Sequence, residues 1–374
     1  MLSWFGRKSA PERRPFVPAW LQGEGEAGSF VRGYSSQLDE VYRRNPVGLR
    51  AVRLVAGLTA SLPLFAEEGP ESAVKLVQAG ELLEQVSAAL LLHGNAYVKL
   101  AVDGHDKPAE LHMLRPERVS IATGADGWPS AYVYRAGGQV VRIARQDALG
   151  RTQVAHLKAL NPGDDHYGLG CLEAAVPAAS VHNRASLWNK ALLDNAARPS
   201  GALIYEPSDG ANLGQEQFDQ LKSELGEQFS GSWNAGRPLL LEGGLKWQAM
   251  SMSPADMDFA RLKEGAARDI ALAFGVPPVL VGLPGDATYA NAREAGRALY
   301  RQTILPMAET MLAELCAMLG DWLGPVRIAI DTDRISELAE DRARLWQQVG
   351  AADFLSRNEK REQIGFSADK EEGQ

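Results

Sequence analysis

The side chains of this chain that could do chemistry are few and scattered. The densest group is Asp164-Asp165-His166, where Asp165 and His166 side by side could serve as acid and base. It follows Pro162-Gly163, and short polar residues in such a stretch bond their own backbone, so a turn is the expected reading. Asp103-Gly104-His105-Asp106 reads as a hairpin tip in the same way. Asp331-Thr332-Asp333 opens like a calcium loop but lacks the glycine and closing glutamate which that geometry requires. His93, just before Gly94, is expected at a helix end, and His156 and His182 are expected in polar surroundings near a core. None of the three suggests a zinc set. Cys171 and Cys316, the two cysteines, have no CxxC spacing and read as reduced intracellular thiols. Phosphate loop, HExxH and GxSxG signatures are all missing. No catalytic residue, metal or cofactor is expected.

The elements that would position any site come from an ordinary globular composition. The 374 residues are 45% hydrophobic and 23% charged, enough for two or three structural units with cores of their own. Lys and Arg number 39 against 47 Asp and Glu, for a net charge of −8. An acidic balance argues against a protein that grips nucleic acid through many phosphate contacts. The start, Met1 to Lys8, has no apolar core of a signal peptide, and no membrane-spanning stretch is expected. Residues 1–30, with Pro11, Pro15 and Pro18 among scattered basic residues, read as an N-terminal arm.

Order is expected from Asn45-Pro46, a cap followed by a residue suited to the first helical turn. An apolar stripe from Val47 to Leu58 predicts a helix ending near Leu62-Pro63, and a second helix is expected over 71–93, closed by Gly94. The period then changes from helix to strand. Strands are expected at 96–102, 111–114, 118–122, 131–135, 139–144 and 153–158, giving an α+β region with a mostly antiparallel sheet. Helix returns over 168–198, followed by a short strand, Ala202 to Tyr205. An amphipathic helix is expected at 213–230 and a compact hairpin at Pro238–Trp247 with Gly243-Gly244 at its tip. Ser253-Pro254-Ala255-Asp256 opens a helix running to Gly275, where Val276-Pro277-Pro278 forbids continuation. A glycine-bearing loop leads to a helix capped at Asn291 and running to Leu319, kinked by Pro306. A strand at 326–330 and a charged helical tail from 336 complete the chain.

A hairpin between two helices, then a loop and a Pro-kinked helix, is an order with a known counterpart. The phrases His93-Gly94-Asn95-Ala96-Tyr97, Leu114-Arg115-Pro116-Glu117-Arg118-Val119, Val154-Ala155-His156-Leu157-Lys158 and Tyr167-Gly168-Leu169-Gly170 occur in matching sequence. Ala273-Phe274-Gly275-Val276-Pro277-Pro278, Tyr289-Ala290-Asn291-Ala292-Arg293-Glu294 and Leu305-Pro306 continue the series. Over about residues 45–320 the chain resembles the portal proteins of tailed phages, prophages and gene transfer agents.

That resemblance implies a portal-type fold and a ring of about twelve subunits at one capsid vertex. After the arm, it implies a wing at 31–211, stem helices at 212–231 and 254–275, and a clip hairpin at 232–253. A tunnel loop at 276–290, a kinked tunnel helix at 291–320, a wing strand at 321–335 and a crown with tail at 336–374 follow. Leu283, Asp286, Thr288 and Tyr289 would meet DNA from the loop, and Arg261, Lys263 and Arg268 from the stem. The alternative for these three is an ion pair within the helix or between subunits. Leu239, Leu240, Leu241 and Trp247 would pack against neighbouring clips, the head–tail adaptor or the large terminase, because a small hairpin cannot bury them. Pro277, Pro278, Asn291 and Pro306 would act as structural hinges. The ring would also contact the major capsid protein and pass double-stranded DNA without reading its sequence. It would sit in the virion, after assembly in the bacterial cytoplasm, with no catalysis of its own. Rival readings are another phage head or adaptor protein and a small-molecule enzyme using Asp165 and His166.

Overall fold

The computed structural model describes residues 33–194, 201–205, 216, 219–220, 245–249, 259–283 and 288–365. It begins with a short helix, α1 (Tyr34–Leu38), extended by a π-helical turn over Asp39–Arg43. Helix α2 (Pro46–Ala60) starts where expected: the Asn45 side chain accepts from Val47 N and Gly48 N at 3.0 and 3.1 Å. The side-chain amide of Asn45 donates onward to Asn183 Oδ1 at 2.9 Å, so one residue caps a helix and ties it to another.

Strand β1 (Leu64–Glu68) follows, an element without an expectation behind it, paired antiparallel with β10 (Arg327–Ile330) from the far end of the chain. The expected single helix over 71–93 is two, α3 (Glu71–Gln78) and α4 (Leu82–His93). Ala79 is extended and Gly80 left-handed, so the ladder breaks between them. Both helices turn the same kind of apolar face inward, which is why periodicity alone joined them.

Two three-stranded sheets build the α+β region. Strands β2 (Asn95–Val102), β3 (Pro108–Leu114) and β7 (Val154–Lys158) lie in the order β3-β2-β7, all antiparallel. Strands β4 (Val119–Thr123), β5 (Pro129–Ala136) and β6 (Gln139–Ala144) form a meander. Tyr97, Val119, Ile121, Tyr132, Ile143 and Val154 fill the space between the sheets. The other side of the first sheet packs with α3 and α4 on the long helix near the C-terminal end.

The third region is helical. Helix α5 (Leu172–Asp194) and helix α6 (Phe259–Ala273) pack along each other, and between them in sequence stand β8 (Gly201–Tyr205) and β9 (Leu245–Ala249). Helix α7 (Tyr289–Leu299), a π-helical turn at Tyr300–Ile304 and helix α8 (Leu305–Leu323) form one continuous run. Pro306 lacks the donor that an α-helical ladder would use, and the run widens immediately before it. An apolar window inside Ala290–Leu323 is long enough to span a membrane, contrary to expectation. Here it lines two cores: Leu299, Ile304 and Ala308 pack with α2, α5 and α6, and Met311, Leu312, Leu315 and Leu319 pack with α4 and β2. Helices α9 (Ala339–Gly350) and α10 (Arg357–Gln363) follow β10, the second opened by a capping box at Ser356 and Glu359.

Candidate channel and subunit-contact elements

Three of the quoted phrases meet at one buried knot. Asn95, 1% exposed, donates from Nδ2 to Gly168 O at 3.0 Å and accepts at Oδ1 from Gly168 N at 2.8 Å. The same oxygen lies 3.0 Å from His156 Nε2, and the amide nitrogen 3.2 Å from His93 Nδ1. Gly94 closes α4 with φ +78°, and a Cβ there would come within 2.4 Å of Gly170 N. No side chain larger than hydrogen lets these two segments pass. Burial removes hydration from both imidazoles, lowering His93 to about 4 and His156 to about 3. Tyr97 stacks on His156 with centroids 4.3 Å apart, and the Tyr167 hydroxyl accepts from Ile121 N at 2.9 Å. The knot joins α4, β2, β7 and the segment before α5, and it is structural.

The candidate acid–base pair belongs to a turn at its rim. Asp164 Oδ1 accepts from His166 N at 2.7 Å and Tyr167 N at 2.9 Å, while Asp165 is exposed and its carbonyl accepts from Lys158 Nζ. Nothing brings the Asp165 carboxylate to the His166 ring. Among the described residues no three His, Cys, Asp or Glu gather as a metal set.

Helices α5 and α6 run antiparallel: Trp188 meets Phe259 at 5.9 Å between ring centroids, and His182, farther back on α5, lies near Lys263. Burial chiefly, with the Lys263 charge second, lowers the pKa of His182. Lys263 is therefore half-buried beside α5 instead of standing out as a bare cation. Arg268 forms an ion pair with Glu264 one turn back, the within-helix alternative weighed for it. Arg261 is exposed and borders a groove of about 790 Å³ between the two helices.

The expected first stem helix, 213–230, is described at Glu216, Asp219 and Gln220, which are helical; the rest lies outside the described residues. The helix observed along α6 is α5, which the expectation had left in the wing. Strand β9 carries Trp247 opposite Leu203 of β8, so its observed partner is a strand about forty residues upstream. The expected partner segment, with Leu239, Leu240 and Leu241, lies outside the described residues, as do the arm 1–30 and the cap at Ser253.

After α6 the chain turns sharply. Gly275 has φ +66° and its carbonyl accepts from Thr303 Oγ1 at 2.8 Å, pinning the end of α6 to the π-helical turn. Pro277 is extended and Pro278 opens a 3₁₀ turn over Pro278–Val281 that ends at left-handed Gly282. Leu283 packs against the helical core with Leu280 and Val281, a correction to its placement on a protruding loop. Asp286 lies outside the described residues. Thr288 is exposed and caps α7, accepting from Asn291 N at 3.2 Å; Asn291 is thus the capped residue, not the cap. Tyr289 is the first residue of α7.

A cluster that had no expectation behind it links α7 to α9. Arg293, Arg297 and Arg301 stand one helical turn apart. Arg293 reaches Glu340 at 2.6 Å, Arg297 bonds Glu340 and also Glu294, and Arg301 bonds Asp341. Arg297 is 8% exposed. Its signal in the sequence is an arginine at every fourth position of one helix and an acidic first turn on another.

The comparisons with known proteins agree with this geometry. A family profile described as phage portal protein matches residues 46–365. The chain belongs to that family. A solved chain from the neck of a native gene transfer agent particle, computed with C12 symmetry, is 44% identical, with a TM-score of 0.71. The likeness covers 94% of this chain and 98% of that one. An uncharacterized protein of Rickettsia bellii is 38% identical across 87% of this chain and 88% of its own length. A probable portal protein of Streptomyces phage phiC31 is 26% identical across 70% of this chain and 53% of its own length. Phrases that carried the resemblance build the knot, the α6 joint and the start of α7.

Proposed function

We propose that this chain closes into a ring at the unique vertex of a phage-type capsid or gene transfer agent particle. The ring serves as the conduit through which double-stranded DNA enters, is held and leaves. The observation that carries this reading is the 44% identity over nearly the whole chain to a protein of a C12-symmetric particle neck. A pair of helices bounded by a two-stranded sheet, followed by a pinned loop, supports it physically, because such a unit can line a bore repeatedly under rotation.

In this reading α5 and α6 form the stem, with β8, β9 and the chain between them as the clip. Residues 284–288 would border the bore, α7 and α8 form the tunnel helix, and α9 with α10 the crown. Large terminase and then the head–tail adaptor dock at the clip, and the major capsid protein holds the wing. DNA passes without sequence readout: a net charge of −8 per subunit gives a background that repels phosphate and lets the duplex slide. The chain has no turnover of its own.

Purified protein examined by mass photometry and negative-stain imaging should give closed rings with a central hole wider than a duplex. Protein that stays monomeric at high concentration overturns the reading.

A further inference from the structure

The α5–α6 pair leaves apolar side chains in solvent that no described residue of its own subunit covers. Leu262 is 50% exposed and Leu272 76%, both on the face of α6 that borders the groove, with Gly265 between them. Val181 of α5 borders the same groove, 38% exposed. Core residues Ala267, Ile270, Ala271 and Phe274 take the opposite face of α6, while the groove face mixes these leucines with Arg261 and Asp269. Large apolar side chains on a face that no described residue covers mark a contact surface.

A second patch sits on the other edge of the pair. Leu187 is 67% exposed and lies six residues beyond Val181, turned about 120° around α5 on a flank that faces away from α6. Arg184, one turn before it, is exposed, as is Asp269 on the groove face of α6, and neither has an ion-pair partner among the described residues. A ring contact is heterologous: it joins two different patches on different sides of one subunit. The two edges of the helix pair lie on different sides of α5, and each carries exposed leucine, with Arg184 on one and Asp269, beside Arg261, on the other. Small Gly265 lets a neighbouring helix approach closely.

We infer that the α6 groove face, with Leu262, Gly265 and Leu272, is covered in the assembled ring by the Leu187 edge of α5 from the next copy of this chain. This rests on the portal reading and deepens it by naming the two surfaces that join. Exposed apolar area on the stem is then the unfinished half of a heterologous contact, not a site for a small ligand.

The test is cross-linking in rings. In a Cys171→Ser, Cys316→Ser background, Leu187→Cys combined with Leu272→Cys and treated with a short bis-maleimide should give a covalent ladder rising beyond the dimer. Either cysteine alone should give no ladder. Rings that form normally yet yield no species larger than the monomer from the double variant overturn the inference while leaving the portal reading intact. Separately, Leu272→Glu should abolish rings while its circular dichroism and melting match those of wild type. Rings of wild-type yield from that variant would also overturn it. Should Leu272→Glu fail to fold, the cross-linking result decides. If the wild-type chain forms no rings at all, the portal reading itself has failed.

Discussion

Asn95 shows how one side chain can hold a junction of four segments. Its amide satisfies both the N–H and the C=O of Gly168 and also contacts two neutral histidines. Replacing it with alanine strands those backbone groups in a dry site, where each unsatisfied group costs roughly 1–3 kcal/mol. Asn95→Ala should therefore lower unfolding stability by about 3 kcal/mol in urea. A loss below about 1 kcal/mol would mean that water replaces the amide. His93 and His156 give the same knot a pH dependence. Their folded values, about 4 and about 3, lie below the ordinary 6.5, so between those limits the unfolded chain binds protons that the fold refuses. Stability is full above about pH 6.5 and falls as pH drops toward 4, by up to about 1.4 kcal/mol per unit for each histidine. Urea midpoints at pH 7 and pH 5 check this, and His156→Gln should flatten the difference.

At the scale of elements, the arginine ladder decides how helix α9 attaches. Three arginines on α7 and the π-helical turn after it meet Glu340 and Asp341 in the first turn of α9, where carboxylates also suit the positive helix end. Glu340→Lys should raise hydrogen exchange in α9 at least tenfold while β2 and β7 keep their protection. An unchanged α9 would show that apolar contacts hold it alone. Elements with a local signal were legible in the sequence: the Asn45 cap, the strand alternation after Gly94, the stop at Gly275. The break at Ala79-Gly80 was not, because two short helices share one apolar period. Nor was β1, whose partner β10 lies more than 250 residues away and supplies no local pattern. The Thr288 cap was missed for a related reason: Asn291 is an equally good capping residue, and only the backbone course chooses between them.

For the whole molecule, the Thr303 hydroxyl ties the end of α6 to the π-helical turn of the long helix. Leu283 packs against the core, so a deletion meant to probe the following loop must spare it. Removing 284–287 should leave ring assembly unchanged and reduce DNA retention in particles severalfold, measured by nuclease protection. Loss of rings would instead make that segment an assembly joint. Trp247→Ala should weaken adaptor or terminase docking in pull-downs by tenfold or more while shifting the melting temperature by less than a core truncation such as Leu315→Ala. Leu315 is fully buried, and its truncation should cost about 3 kcal/mol. A shift for Trp247→Ala as large as that of Leu315→Ala would place it in the subunit's own core.

By itself the amino-acid sequence determined the α+β class, most strand and helix positions, the turn nature of Asp164–His166 and membership of the portal family. These follow from period, caps and glycine words, all of which act within a few residues of the chain. Only the tertiary structure decided that α5 is the helix lying along α6, that β9 pairs with β8, that Leu283 is packed inward and that Arg293, Arg297 and Arg301 are held by α9. Each of those depends on segments distant in sequence, where packing selects one partner from several of equal local merit.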